Sequence, residues 1–246
     1  MNLKTSPFQL AATAVFTALV CAATMIFSVS VPATQGFFNI GESMIFTSAL
    51  LFGPSVGAFA GGVGSMLADI LLGFPHYAPA TLVVKACEGA AVGVLKKRNP
   101  KLSSKLHWKL LTFALGLAAG ALLGYVGGTY YSGDVELAIG LKMFTFYIPT
   151  EFWIFLGAAT AFCIAAAGFM FDPELGWILF SVIAGGFCMV SGYFLYEWLL
   201  IYPLFKIEAV ALAEVPINIG QMIIGSITAL PIVKVAWHSF PYLKKK

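Results

Sequence analysis

Charge is scarce in this chain. Asp, Glu, Lys and Arg supply 10% of its 246 residues, against roughly 25% in an ordinary soluble domain. Windows at 5–41, 43–68, 110–133, 152–171, 175–196 and 215–233 contain none of the four. A soluble globule is excluded, since a helix crosses a bilayer core with about 20 apolar residues and most of these windows hold one. Cysteine is sparse as well. Cys21, Cys87, Cys163 and Cys188 are scattered through apolar runs, without metal-ligand spacing or a disulfide framework. The three histidines, His76, His107 and His238, lie far apart in the chain. Neither HExxH nor DDxxD occurs, and Asp134/Glu136 and Asp172/Glu174 are the closely spaced acidic pairs, both in loops. Membrane hydrolase and prenyl-transfer chemistry lose their usual groups, so no enzyme, metal or cofactor is expected. No GxxxxGK[ST] loop occurs, which excludes ATP binding of that kind.

What is present is 60% hydrophobic sequence. The periodicity and breakers place helices at 8–29, 42–52, 56–72, 80–95, 109–130, 150–170, 177–201 and 215–237. Gly53-Pro54 and Gly73-Phe74-Pro75 separate the second, third and fourth. The first apolar run, from Phe8 to about Val31, outlasts the 7–15 residues of a signal-peptide core and reads as a retained span. The piece at 134–149 mixes charges with aromatics and is expected at the membrane surface. The fold expected is an all-α integral membrane bundle of about eight spans in one domain, 1–246.

The basic residues orient it. Lys96, Lys97, Arg98, Lys101, Lys105 and Lys109 form one loop, and Lys4, Lys234 and residues 244–246 add five more at the termini and the last helix. Eleven of fourteen basic residues then share a side, which is the cytoplasmic one. Both termini are expected inside, in a multi-pass cell-membrane protein. The net charge of +3 reflects this topology and gives no reason to expect nucleic acid.

Polar residues inside such a bundle are functional candidates by default. Between positions 36 and 95 the ionisable groups besides His76 are Glu42, Asp69, Lys85 and Glu88. Asp69 and Lys85 lie at similar depth across a short turn, so an ion pair ordering the hairpin is expected there. Lys85 and Glu88 share a helix face three residues apart. Asn39, Glu42, His76 and Tyr77 stand at the outer ends of the early helices. Tyr193, Tyr196, Glu197 and Trp198 approach from the seventh, and Glu214, Asn218 and Gln221 from the eighth. Amides with aromatics suit a flat heterocycle, the first matching its donors and acceptors and the second stacking on it. Interfacial anchoring by Tyr and Trp is the competing account.

In order along the chain stand FFNIGE, LLFGPSVGAFAGGVGSMLADILLG, YAP, KACEGAAVG and finally EVPINIGQ. This succession resembles the S components of energy-coupling factor (ECF) transporters, in particular the riboflavin-type branch. The resemblance implies a six-helix substrate-capture subunit without a motor of its own. Its partners would be a transmembrane coupling (T) subunit and two ATPases, and its ligand a vitamin or related small heterocycle, riboflavin-like or a pyrimidine precursor. On that plan 1–98 holds the first four helices, 108–171 an inserted helix pair and 175–239 the last two. Substrate contacts are expected from Asn39, Glu42, His76, Tyr77, Lys85, Glu88, Tyr193, Glu197, Asn218 and Gln221. Ala14, Ala18 and Ala22 recur every four residues on the first helix, and the resemblance makes this stripe the contact with the coupling subunit. A stand-alone secondary carrier is the alternative.

Overall fold

The computed structural model describes residues 6–31, 36–98, 105–130, 132–139, 142–170, 173–207 and 211–243. In chain order its elements begin with α1 (Pro7–Ile26), β1 (Ser28–Val31), β2 (Gly36–Asn39), α2 (Glu42–Phe52), α3 (Pro54–Leu72) and α4 (Ala78–Lys97). They continue with α5 (Lys105–Tyr130), β3 (Gly133–Ile139), β4 (Lys142–Ile148) and α6 (Thr150–Met170). Helix α7 starts at Pro173, is α-helical to Tyr196, widens into a π turn over Glu197–Ile201 and closes with Tyr202–Phe205. Helix α8 is Ala211–Ser239. Lys4, Lys101 and residues 244–246, which carry part of the charge argument, lie outside the described residues.

Six helices (α1, α3, α4, α5, α7 and α8) are long and apolar enough to cross a bilayer. Helix α2, with 11 residues, extends only about 16 Å at 1.5 Å per residue and cannot cross alone. The helical membrane architecture expected from composition is therefore present, with six such helices among the described residues where about eight spans were expected, because the apolar stretches of α2 and α6 are shorter. Two antiparallel β-hairpins add to it. Strand β1 pairs with β2, Ser28 opposite Asn39 and Val31 opposite Gly36. Strand β3 pairs with β4, Gly133 opposite Ile148 and Ile139 opposite Lys142. The piece at 134–149 is thus a hairpin rather than an irregular surface segment.

The chain divides into two compact units, residues 1–99 with 177–246, and residues 100–176. In the first, small residues set the helix spacing. A Cβ on Gly61 would lie 2.8 Å from the Lys85 carbonyl oxygen, and one on Gly57 the same distance from the Gly89 carbonyl oxygen. Helices α3 and α4 therefore touch backbone to backbone, the contact that lipid-embedded helices use in place of hydrophobic driving force. Gly64 meets α1 in the same way, against the Thr17 carbonyl oxygen at 2.7 Å. Gly73 ends α3 in the left-handed region, φ 88°, and Phe74 donates its N–H to the Asp69 carbonyl at 2.8 Å. That cap turns the chain sharply enough to bring the C-terminal end of α3 and the N-terminal end of α4 together.

Helix α2 is buried along nearly its whole length, from Glu42 through Leu51. It packs against α1, α3, α4 and α8, and Phe46, Ala49, Leu50 and Leu51 join Val92, Val182, Met189 and Val233 in the core. Helix α1 is the opposite case. A capping box between Ser6 and Gln9 starts it, and its outer face, with Ala14, Ala18 and Ala22 beside Leu10, Val15 and Leu19, is exposed.

In the second unit α5 and α6 form a close helical hairpin tipped by β3 and β4. A Cβ on Gly116 would lie 2.8 Å from the Ala161 carbonyl oxygen, and Gly120 and Gly157 meet backbone to backbone.

Candidate ligand-binding site

Lys85 stands about two turns into α4, 3% exposed. Its ammonium pairs with the Glu42 carboxylate and lies 3.2 Å from Glu88 Oε2. Met189 Sδ is 2.6 Å away, and the Tyr193 ring centroid 5.5 Å. Glu42 reaches this point because it is the first residue of α2, directly after the β1–β2 hairpin, where Gly225 of α8 passes against its Cβ. The partners of Lys85 are therefore Glu42 and Glu88. Asp69, expected to pair with it, is not in ion-pair contact with it. Lys85 already has two carboxylates in contact.

Three amides form a second chain of contacts. The backbone N–H of Gly41 donates to Asn39 Oδ1 at 2.8 Å. Asn39 Nδ2 donates to Gln221 Oε1 at 2.6 Å, and the Asn39 backbone N–H donates to the same oxygen at 3.3 Å. Gln221 Nε2 donates to Asn218 Oδ1 at 2.9 Å. Asn218 and Gln221 share a face of α8 because they are three residues apart, and Asn39 comes to them from the end of β2.

An aromatic group closes one side. Tyr193 donates to Thr81 Oγ1 at 2.9 Å. Tyr77 donates to Glu197 Oε1 at 2.8 Å, and Tyr196 to the His76 carbonyl. Glu197 opens the π turn of α7. Pro203 lacks the N–H that would bond the Leu199 carbonyl, and its ring crowds that carbonyl, which accounts for a widened turn at this level.

These groups surround a cavity of about 30 Å³, lined by Gly36, Phe37, Asn39, Asp69, Tyr77, Thr81, Lys85, Tyr193, Glu214, Asn218 and Gln221. Six of the ten expected substrate residues are in this lining: Asn39, Tyr77, Lys85, Tyr193, Asn218 and Gln221. Glu42 and Glu88 stand behind Lys85, and Glu197 stands behind Tyr77. His76 lies outside the lining, with its ring against Phe74, Tyr77 and Phe205. Gly36, Phe37 and Thr81 were not expected in the lining, and Asp69 was assigned to an ion pair. Their common signal is position, since they lie at the start of β2, near the end of α3 and near the start of α4.

The comparison that decides the family covers most of this framework. Residues 4–152 match the family of the ECF-type riboflavin transporter, S component. The chain belongs to that family. The match takes in α1 to α4, α5 and the β3–β4 hairpin, and it ends at the start of α6. The chain is also 44% identical over 110 residues to an uncharacterized protein in the gap 3′ region of Pyrococcus woesei, an alignment covering 44% of this chain and 68% of that protein. As an S component, the protein is a substrate-binding transport subunit of the membrane and not an enzyme. Asn39, Asp69, Tyr77 and Lys85 fall inside the matched region, whereas Tyr193, Asn218 and Gln221 lie beyond it.

Proposed function

We propose that this S component captures riboflavin or a closely related flat heterocycle at the cavity between β2, α3, α4, α7 and α8. The observation that carries the reading is a polar lining, Asn39, Asp69, Lys85, Asn218 and Gln221, held inside an apolar helical bundle. Intramembrane polar groups of this kind are costly unless they serve a polar passenger. Tyr77, Tyr193 and Phe37 supply ring surface beside the amides. The cavity holds about two waters as it stands, and ligand sites run to roughly 300 Å³ or more. Binding therefore requires the lining to part.

Mutation of the amides tests the site. Asn218→Leu or Gln221→Leu should weaken binding by about 1–3 kcal/mol for each hydrogen-bonding group lost, because its partner stays buried and unpaired. Riboflavin fluorescence quenching on the detergent-purified protein measures this, with His107→Leu as the neutral control. Equal affinity in all four proteins would move the site elsewhere.

The partners we propose are an ECF coupling subunit, docked on the exposed Ala14, Ala18 and Ala22 face of α1, and two ATPases. The separate compactness of 100–176 supports reading α5 and α6 as a helix pair of their own, with α5 and the β3–β4 hairpin inside the family match. The charge distribution supports cytoplasmic termini. Cells should accumulate ligand only when the coupling and ATPase subunits are co-expressed, while the isolated chain still binds it. Uptake by proteoliposomes containing this chain alone, under a proton or sodium gradient, would favour a secondary carrier instead.

A further inference from the structure

The amide chain has a fixed direction, and that direction decides what the cavity offers. It starts at two backbone N–H groups, Gly41 and Asn39, which can only donate. Asn39 must therefore turn Oδ1 toward Gly41, and Gln221 must turn Oε1 toward Asn39. The Gln221 amine then faces Asn218 and requires its oxygen. Reversing any one amide would set two donors against each other. What remains at the end of the chain is Asn218 Nδ2, a donor on a residue 1% exposed, with no partner among the described residues.

The opposite kind of atom is left over on α3. Tyr193 donates to Thr81 Oγ1, and Asp69 shares the cavity lining with Thr81 and Tyr193. Asp69 Oδ2 is left over, an acceptor on a residue 4% exposed, again with no partner among the described residues. Both leftover atoms belong to residues lining the one cavity. A buried polar atom without a partner is costly, and two of opposite kind in the same small space call for a complementary pair.

From this we infer that the ligand enters with an edge bearing an N–H next to a carbonyl, the N–H donating to Asp69 Oδ2 and the carbonyl accepting from Asn218 Nδ2. Lactams, imides and pyrimidinedione rings carry such an edge. A ring with two adjacent acceptors, or a carboxylate at the same place, would face Asp69 with a like lone pair or charge. The assignment rests on the reading that this cavity is the ligand site, and it makes Asp69, read from the sequence as a salt-bridge residue, a determinant of specificity.

Riboflavin tests it directly, because its imide N–H lies between two carbonyls and can be blocked by a methyl group. Binding of riboflavin and of N3-methylriboflavin is measured on the detergent-purified full chain and on Asp69→Ala. On the unmutated protein, methylation should lower affinity by about tenfold or more, since the Asp69 acceptor is again left unpaired. In Asp69→Ala the acceptor is gone and there is space for the methyl group, so the two flavins should bind within about threefold of each other. The methylation arm stands without the variant should Asp69→Ala fail to fold. Equal affinity of the two flavins for the unmutated protein overturns the edge assignment. A methylation penalty that persists undiminished in Asp69→Ala overturns it as well. Binding of neither flavin to the unmutated protein overturns the flavin reading beneath it.

Discussion

Lys85→Met should unfold this protein or leave it severely weakened. The substitution keeps the length of the apolar stem and removes the charge that Glu42 and Glu88 share. Both carboxylates are fully buried, so the variant faces one acid with another in a medium that solvates neither. Breaking a buried ion pair from one side costs about 3–5 kcal/mol, a large part of the stability of a typical domain. Thermal unfolding in detergent reads the loss. The triple variant Glu42→Gln, Lys85→Met, Glu88→Gln removes all three charges together and should recover much of it. A Lys85→Met protein as stable as the unmutated one would mean that the cluster contributes little to holding α2 against α4.

Ala14→Trp with Ala18→Trp should abolish uptake while sparing the ligand. Both alanines are exposed on α1. Helices in lipid associate by close packing around small residues, and two indoles there hold a partner helix away with no hydrophobic gain in exchange. Copurification with the coupling subunit should fail, and riboflavin affinity of the isolated chain should stay within about twofold. The separation of effects follows from position, since neither residue lines the cavity. A double variant that loses its ligand would place the stripe in the packing of the bundle itself. Normal uptake by the same variant would move the docking surface to another helix.

Much of the helical plan is legible in the chain because its punctuation is strong. Glu42–Phe52 and Thr150–Met170 have the ends that the apolar runs and breakers dictate. The hairpins were missed, although Ser28-Val29-Ser30-Val31 and Val135, Leu137, Ile139 alternate with the period of a strand. In so apolar a chain that short alternation is submerged in hydrophobic background. The π turn was missed because Pro203 marks a disturbance without saying which turn absorbs it. The lining was half legible. Asn218 and Gln221 share a face by spacing alone, but their link to Asn39 spans 182 residues of sequence. Likewise, Glu42 lies 43 residues from Lys85. No local rule connects them, so the nearer Asp69 was paired with Lys85 instead.

The small volume of the cavity also bears on how tightly this protein holds anything. About 30 Å³ is too small for a heterocycle, so the lining as it stands belongs to a closed state that competes with the ligand. A population mostly closed binds with an affinity reduced by the open fraction. Each 1.4 kcal/mol of preference for the closed form lowers the apparent affinity about tenfold. Packing that keeps the lining closed therefore sets two quantities in opposition, the order of the resting subunit and the ligand concentration at which it fills.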